Sequence, residues 1–274
     1  MKKNKSLIAT LIENRKLIWN LAKDDFKKKF AGSNLGVIWA FIQPVITVLL
    51  YWFVFEKGLN AKAANLRTGI EIPFVLWLMA GLVPWFYFQD AWNNGTGVLN
   101  EYNYLVKKVV FKIEILPVVK MVSALFVHMF FVVFMIVLFW LMGYAPDLYV
   151  LQVIYYSFAM IMLLVGLVYA TSAVVVFFKD LSQIVALIIQ VGTWATPIMW
   201  NIETMEDIPG WAITLLKLNP MYYVVSGYRD ALINKVWFWE HPELTVWFWV
   251  VTAVIYVIGI RIFRKLRMLF ADVL

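Results

Sequence analysis

Cysteine is absent from the chain, which excludes disulfide staples and thiolate metal sites. Histidine is nearly absent: His128 and His241 have no HExxH partner and no companion cysteine, so neither completes a zinc site. His128 is therefore read as a packed or hydrogen-bonded helix residue. Neither a GxxxxGK(S/T) phosphate loop nor a GxSxG nucleophile elbow occurs. No catalytic residue, metal ligand or cofactor is assigned to the chain, and if ATP powers it, another polypeptide must bind and hydrolyse that ATP. Charge is scarce as well, at 15% of residues against 63% hydrophobic, where a soluble domain carries about a quarter charged and about half apolar. The balance excludes an ordinary soluble domain and points to a polytopic membrane protein. No acid lies near the middle of an apolar run, where a proton- or ion-driven carrier would place one. There is no internal repeat and no Pro- or Ser-rich linker, so residues 1–274 read as one membrane domain. A cleavable signal peptide is also missing, because the first apolar run begins only at Leu35 and no small-residue cleavage site follows it.

What the chain does have is apolar sequence in long stretches. A bilayer core about 30 Å thick takes roughly 20 helical residues rising about 1.5 Å each. On that scale the spans are Leu35–Phe55, Ile72–Gln89, Val118–Met142, Leu148–Phe178, Leu181–Trp200 and Leu244–Phe263. The second is short and interrupted by Pro84; the fourth is long enough to tilt or project. The expected fold class is an all-α integral membrane protein with six transmembrane helices.

Charge placement orients these spans, because Lys and Arg are retained on the cytoplasmic side. Lys2, Lys3, Lys5, Arg15, Lys16, Lys23, Lys27, Lys28 and Lys29 precede the first span. Lys107, Lys108 and Lys112 lie between spans two and three, and Arg261, Arg264, Lys265 and Arg267 lie at the end of the last. Both termini are thereby cytoplasmic, with Glu56, Glu71, Asp147, Glu203, Glu206, Asp207, Glu240 and Glu243 outside. The net charge of +7 is then mainly a topology signal, with some attraction to anionic membrane lipid. Nucleic acid is not an expected partner, since the basic residues flank spans and form no separate module.

Within the leader, residues 1–33, Leu7, Ile8, Leu11, Ile12, Leu17, Ile18, Leu21 and Ala22 recur mainly at helical spacings. The pattern over Ser6–Phe30 predicts an amphipathic helix on the inner membrane surface. Between spans five and six, residues 201–243 hold two apolar pieces too short to cross, Trp211–Leu218 and Met221–Ile233. They are parted by Asn219-Pro220, where the proline biases Asn219 out of the helix. Two short re-entrant helices in the outer leaflet are expected, since polar backbone at that depth needs protein or a cavity around it.

The fifth span is the most polar. At about 100° per residue, Gln183, Gln190, Trp194 and Pro197 share one face, and Trp39, Gln43 and Thr47 form a similar stripe in the first span. Amides beside an aromatic ring suit a carbohydrate, whose hydroxyls need hydrogen bonds and whose C–H faces stack on rings; interhelical hydrogen bonding is the other use of such residues. Lys120, near the inner end of span three, is expected to snorkel, and Asp90 ends span two.

Several blocks together resemble the membrane subunit of ABC-2-type exporters of lipid-linked polysaccharides such as teichoic acid, O-antigen and capsule. Phe26-Lys27-Lys28-Lys29-Phe30 runs into Ser33-Asn34-Leu35-Gly36-Val37-Ile38-Trp39-Ala40 and Gln43-Pro44. Asn100 through Pro117, reading NEYNYLVKKVVFKIEILP, is similar to that family's ATPase-contacting segment. Phe178-Lys179-Asp180-Leu181-Ser182-Gln183-Ile184 followed by Thr196-Pro197-Ile198-Met199-Trp200 resembles its fifth span. Leu218-Asn219-Pro220-Met221 with Gly227-Tyr228-Arg229-Asp230 resembles its re-entrant region. One departure is Lys112, where many relatives carry proline after the Phe111 position.

The resemblance implies two copies of this subunit with two copies of a cytoplasmic ABC ATPase, which would carry the ATP and Mg. It implies an undecaprenyl-diphosphate-linked glycan as substrate and the bacterial plasma membrane as location. A coupling loop over residues 93–117 would present Asn100, Tyr102, Tyr104, Leu105, Lys107, Lys108 and Phe111 to the ATPase. The substrate path would run along Trp39, Gln43, Thr47, Gln183, Gln190 and Trp194. Lys27, Lys28 and Lys29 would meet the diphosphate headgroup as point charges, a solvated topology-setting cluster being the other reading. Asn219, Pro220, Tyr222 and Arg229 would form an outer gate. An ABC-2 permease for a drug or small lipid, and a membrane enzyme or assembly protein that moves nothing, are the competing classes.

Overall fold

The structure, a computed structural model, describes residues 7–64, 69, 71–107, 111–202 and 208–273. Ser6, Lys2, Lys3, Lys5, Lys108, Glu203, Glu206 and Asp207 lie outside the described residues. The leader forms α1 (Leu7–Glu13) and α2 (Arg15–Lys29). It is broken at Asn14, whose side-chain amide turns back to donate to the Thr10 carbonyl at 2.7 Å and competes with helix continuation. The expected single amphipathic helix is therefore two.

Among the described residues, five helical stretches are long and apolar enough to cross a membrane: Gly36–Gly58, Phe74–Thr96, Ile113–Leu141, Leu148–Val175 and Pro242–Leu269. Their regular cores are α3 (Trp39–Trp52), α4 (Phe74–Thr96), α7 (Leu116–Leu141), α8 (Gln152–Val175) and α12 (Pro242–Leu266). Pro84 does not interrupt the second stretch, because α4 runs through it and on to Thr96. The apolar stretch expected over Leu181–Trp200 is helical only over α9 (Leu181–Ala195), 15 residues. At about 1.5 Å per residue, that is about 22 Å, short of a bilayer core of about 30 Å. The helix stops because Pro197 follows Thr196, which is extended at ψ 130°. Ile198 and Met199 then fold inward and are buried.

The centre of the structure is α4. It is apolar nearly all round, carries the largest share of buried residues among the spans, and packs against α7, α8, α3, α9 and α11 (Pro220–Arg229). The closest helix pair is α8 with α12: a Cβ added to Gly259 would fall 2.1 Å from the Gly166 carbonyl oxygen. Small residues permit such backbone approach in membranes, where dispersion drives helix association.

The segment between spans two and three forms short helices α5 (Val98–Glu101) and α6 (Asn103–Val106). After α9 come α10 (Gly210–Leu218) and α11, which continues through a wider turn over Asp230–Asn234. Two short helices meet at Asn219-Pro220 as expected, with Pro220 in the first turn of α11 and the Asn219 side chain accepting from the Met221 amide at 3.0 Å. Outside the helices, Ala63 and Ala64 pair antiparallel with Ile72 and Glu71. A short α13 (Phe270–Val273) ends the described chain.

Candidate functional site

A cavity of about 500 Å³ opens between α3, α4 and α7 beneath the end of the leader. Gln43 and Thr47 come to it from α3, Tyr87 and Asp90 from α4, His128 from α7 and Lys29 from the leader. Lys29, Asp90 and Ala124 are shared with an adjoining polar cavity of about 210 Å³. Apolar walls meeting a charged rim suit an amphiphile with its polar end at the rim.

Amphipathic folding places the rim charges. On α2, Ile18, Ala22 and Asp25 share the buried face, which packs on α7 beside Ile115 and Val119. Trp19 and Phe26 both set edges against Phe126. Asp25 is 6% exposed and Lys120 of α7 is 8% exposed. They pair at 2.6 Å, Glu101 of α5 reaches the same ammonium at 2.7 Å, and the Tyr102 hydroxyl donates to Asp25 at 2.8 Å. Lys120 therefore does not snorkel toward water: two acids draw it inward, and buried charges persist where they are paired. Burial and the hydrogen bond to Asp25 push the Tyr102 phenol well above its ordinary pKa.

Lys29 bonds Asp90 at 2.6 Å, and Asn94 donates to the same carboxylate oxygen at 2.7 Å. Lys29 is thus neutralised at the rim, while Lys27 and Lys28 are exposed on the last turn of α2. His128 is buried and hydrogen-bonds the Tyr228 hydroxyl at 3.2 Å, which in turn meets Ser157 at 2.6 Å.

The two amide-and-aromatic stripes are not brought together within one chain. Gln43 and Thr47 line the cavity, whereas no residue of α9 does. Gln183 and Gln190 are exposed, Trp194 is 58% exposed, and Trp39 also faces outward. Both α3 and α9 lean on α4 and leave their far faces uncovered.

In the segment expected to meet an ATPase, Tyr102 is 4% exposed and packs with Val98, Leu99 and Val106. It is an internal anchor, not an outward contact. Asn100, Leu105 and Phe111 are half-buried, whereas Lys107 is exposed and Tyr104 is 51% exposed. On the other side, Asn219 donates to Thr196 at 2.8 Å, and Arg229 donates to the Pro197 and Ile198 carbonyls at 2.6 and 2.8 Å. Arg229 is a buried brace on the end of α9, while Tyr222 and Arg229 both line a cavity of about 240 Å³.

Sequence reading passed over Asp25, Glu101, Asn94 and Trp77. Asp25 carried a usable signal, since it continues the Ile18–Ala22 face at helical spacing; Trp77, which lies under the Arg229 guanidinium, carried none.

The family described as ABC-2 type transporter matches residues 16–233. The chain is 26% identical to the O-antigen export system permease protein RfbA of Myxococcus xanthus, over 86% of this chain and 85% of that one. It is 23% identical to an O-antigen export system permease protein RfbA of Klebsiella pneumoniae, over 93% of each chain. It is 22% identical to the polysialic acid transport protein KpsM of Escherichia coli, over 76% of this chain and 78% of that one.

Proposed function

The chain belongs to the ABC-2 type transporter family, and on that premise we propose that it is the permease subunit of an ATP-driven exporter of an undecaprenyl-diphosphate-linked polysaccharide. The observation that carries this reading is the cavity where Gln43 and Thr47 stand in an apolar wall below a charged rim formed by the Lys29–Asp90 pair, with Lys28 lining the adjoining cavity. That combination suits a lipid tail, a sugar and an anionic headgroup in sequence. The named relatives, permease proteins of O-antigen export systems and a polysialic acid transport protein, support the same substrate class.

In this reading α9, with the Thr196–Trp200 segment and the α10–α11 pair, makes the remaining crossing at the outer leaflet, and both termini are cytoplasmic. The uncovered faces of α3 and α9 meet those of a second copy, which places the Trp39 and Trp194 stripes along a shared passage. A separate cytoplasmic ATPase binds Mg-ATP and docks on Tyr104 and Lys107. Lys27 and Lys28 attract the diphosphate, and Asp90 competes with it for Lys29. Outward release passes beneath Asn219, Pro220, Tyr222 and Arg229.

A Tyr104→Asp/Lys107→Glu variant tests the docking surface. Both side chains are exposed, so insertion is expected to be normal, while copurification with the ATPase is expected to fall. Undiminished association and export in this variant would place the contact elsewhere.

A further inference from the structure

Three separate pieces of chain end on one ammonium group. Asp25 arrives from the leader helix α2, Glu101 from α5 and Lys120 itself from α7. Tyr102 closes the arrangement, donating its hydroxyl to Asp25 and lying in cation–π contact with Lys120, whose Nζ is 5.5 Å from the ring centroid. Asp25, Lys120 and Tyr102 are nearly inaccessible, but the Glu101 side chain is 56% exposed. The Asp25–Lys120 pair is thus a buried joint, whereas Glu101 is a half-solvated arm reaching it from the segment that carries Tyr104. Four residues after Asp25, Lys29 reaches Asp90 at the cavity mouth.

We propose that Lys120 is a positioning residue for transport, joining the coupling segment to the leader helix so that the two move as one lever. This inference rests on the exporter reading given above. A displacement imposed at Tyr104 by the ATPase passes through Glu101 and Tyr102 to Lys120, then through Asp25 along α2 to Lys29 and the cavity rim. Lys120 touches no transported molecule in this scheme. It keeps the leader in register with the coupling segment as that segment moves, and the short, charge-assisted contacts make that linkage stiff. The Asp25–Lys120 pair holds α2 on α7, and Glu101, with the Tyr102 hydroxyl beside it, makes the leader answer to the coupling segment. A purely structural ion pair would need only the first of these contacts.

Glu101→Gln separates the two roles, because it removes the exposed arm and leaves the buried pair intact. The complete complex with its ATPase is used, reconstituted in proteoliposomes or assayed in native membranes. The expected result is normal copurification and unchanged basal Mg-ATP hydrolysis, with glycan exported per ATP hydrolysed reduced about tenfold, within the usual range of coupling between sites. Glu101→Asp, which keeps the charge, is expected to restore most of the loss. The absence of native cysteine permits spin labels at Lys23→Cys and Asn103→Cys. Their separation should stay constant between nucleotide-free and ATP-vanadate-trapped complexes, and should change on trapping once Glu101 is Gln. A labelled separation that changes on trapping in the otherwise native chain overturns the lever. So does a Glu101→Gln variant with native coupling, or equal losses in the Gln and Asp variants. Failure of the unmutated complex to associate with an ATPase or to export glycan overturns the functional reading itself. A working native complex with an indifferent Glu101→Gln variant overturns only this inference.

Discussion

Arg229 lies flat over the indole of Trp77, its guanidinium carbon 3.4 Å from the ring centroid, while its two terminal nitrogens bond the carbonyls of Pro197 and Ile198. The pair joins α4, α11 and the irregular segment after α9. Those carbonyls have left the helix, and Arg229 supplies each of them with a donor. Gly81 leaves the space: a Cβ there would come within 2.9 Å of the Arg229 guanidinium and 3.3 Å of Ile198.

Arg229→Met is therefore expected to destabilise the chain by about 2–4 kcal/mol, through the two stranded carbonyls and the lost ring contact. Thermal unfolding of the detergent-purified protein checks it. Arg229→Lys should recover little, since one ammonium cannot reproduce the planar fork. Stability equal to the native chain in both variants would show that the brace contributes nothing.

For the inner joint, Lys120→Met leaves Asp25 buried and unpaired, at an expected cost of about 3–5 kcal/mol. Asp25→Asn/Lys120→Met removes the orphaned charge and should recover more than half of that loss. A double-mutant cycle on unfolding midpoints measures the coupling. Additive effects of the two substitutions would contradict the geometry of the joint.

Substrate contact at the cavity wall has a separate signature. Gln43→Leu and Thr47→Val are expected to lower export by a few-fold each, in line with about 0.5–1.5 kcal/mol per hydrogen bond, without altering ATPase association. The assay is surface glycan per cell at matched protein level. Unchanged export in the double variant would remove this wall from the transport path.

Much of this arrangement is legible in the sequence, for reasons that differ by element. Apolar runs of about bilayer length or more locate α3, α4, α7, α8 and α12, because length and hydropathy are local properties. Asn219-Pro220 marks its helix boundary through proline sterics alone. The short α9 is harder: its apolar composition continues to Trp200, but Pro197 ends the helix early and tertiary bonds from Arg229 hold the Pro197–Ile198 backbone in place. Asn14 divides the leader through one local side-chain bond. The inversion of Tyr102 and Lys120 was not legible, because an aromatic in a polar loop and a lysine near a span end both look outward-facing in isolation. Only the docking of α2 on α7 delivers the Asp25 carboxylate that turns them inward. Gln43 and Thr47 lie on α3, and Gln183, Gln190 and Trp194 share the exposed side of α9, but Pro197, expected on the same face, falls beyond the end of that helix and is buried; periodicity also says nothing about which helices face each other.

Whether this chain carries a glycan outward is measured most directly by depleting it in its own host, while quantifying both surface polysaccharide and the lipid-linked glycan retained inside. The expected result is loss of surface polysaccharide together with accumulation of its undecaprenyl-diphosphate-linked precursor at the inner leaflet, reversed by the native chain. Unchanged surface polysaccharide with no accumulated precursor would contradict it.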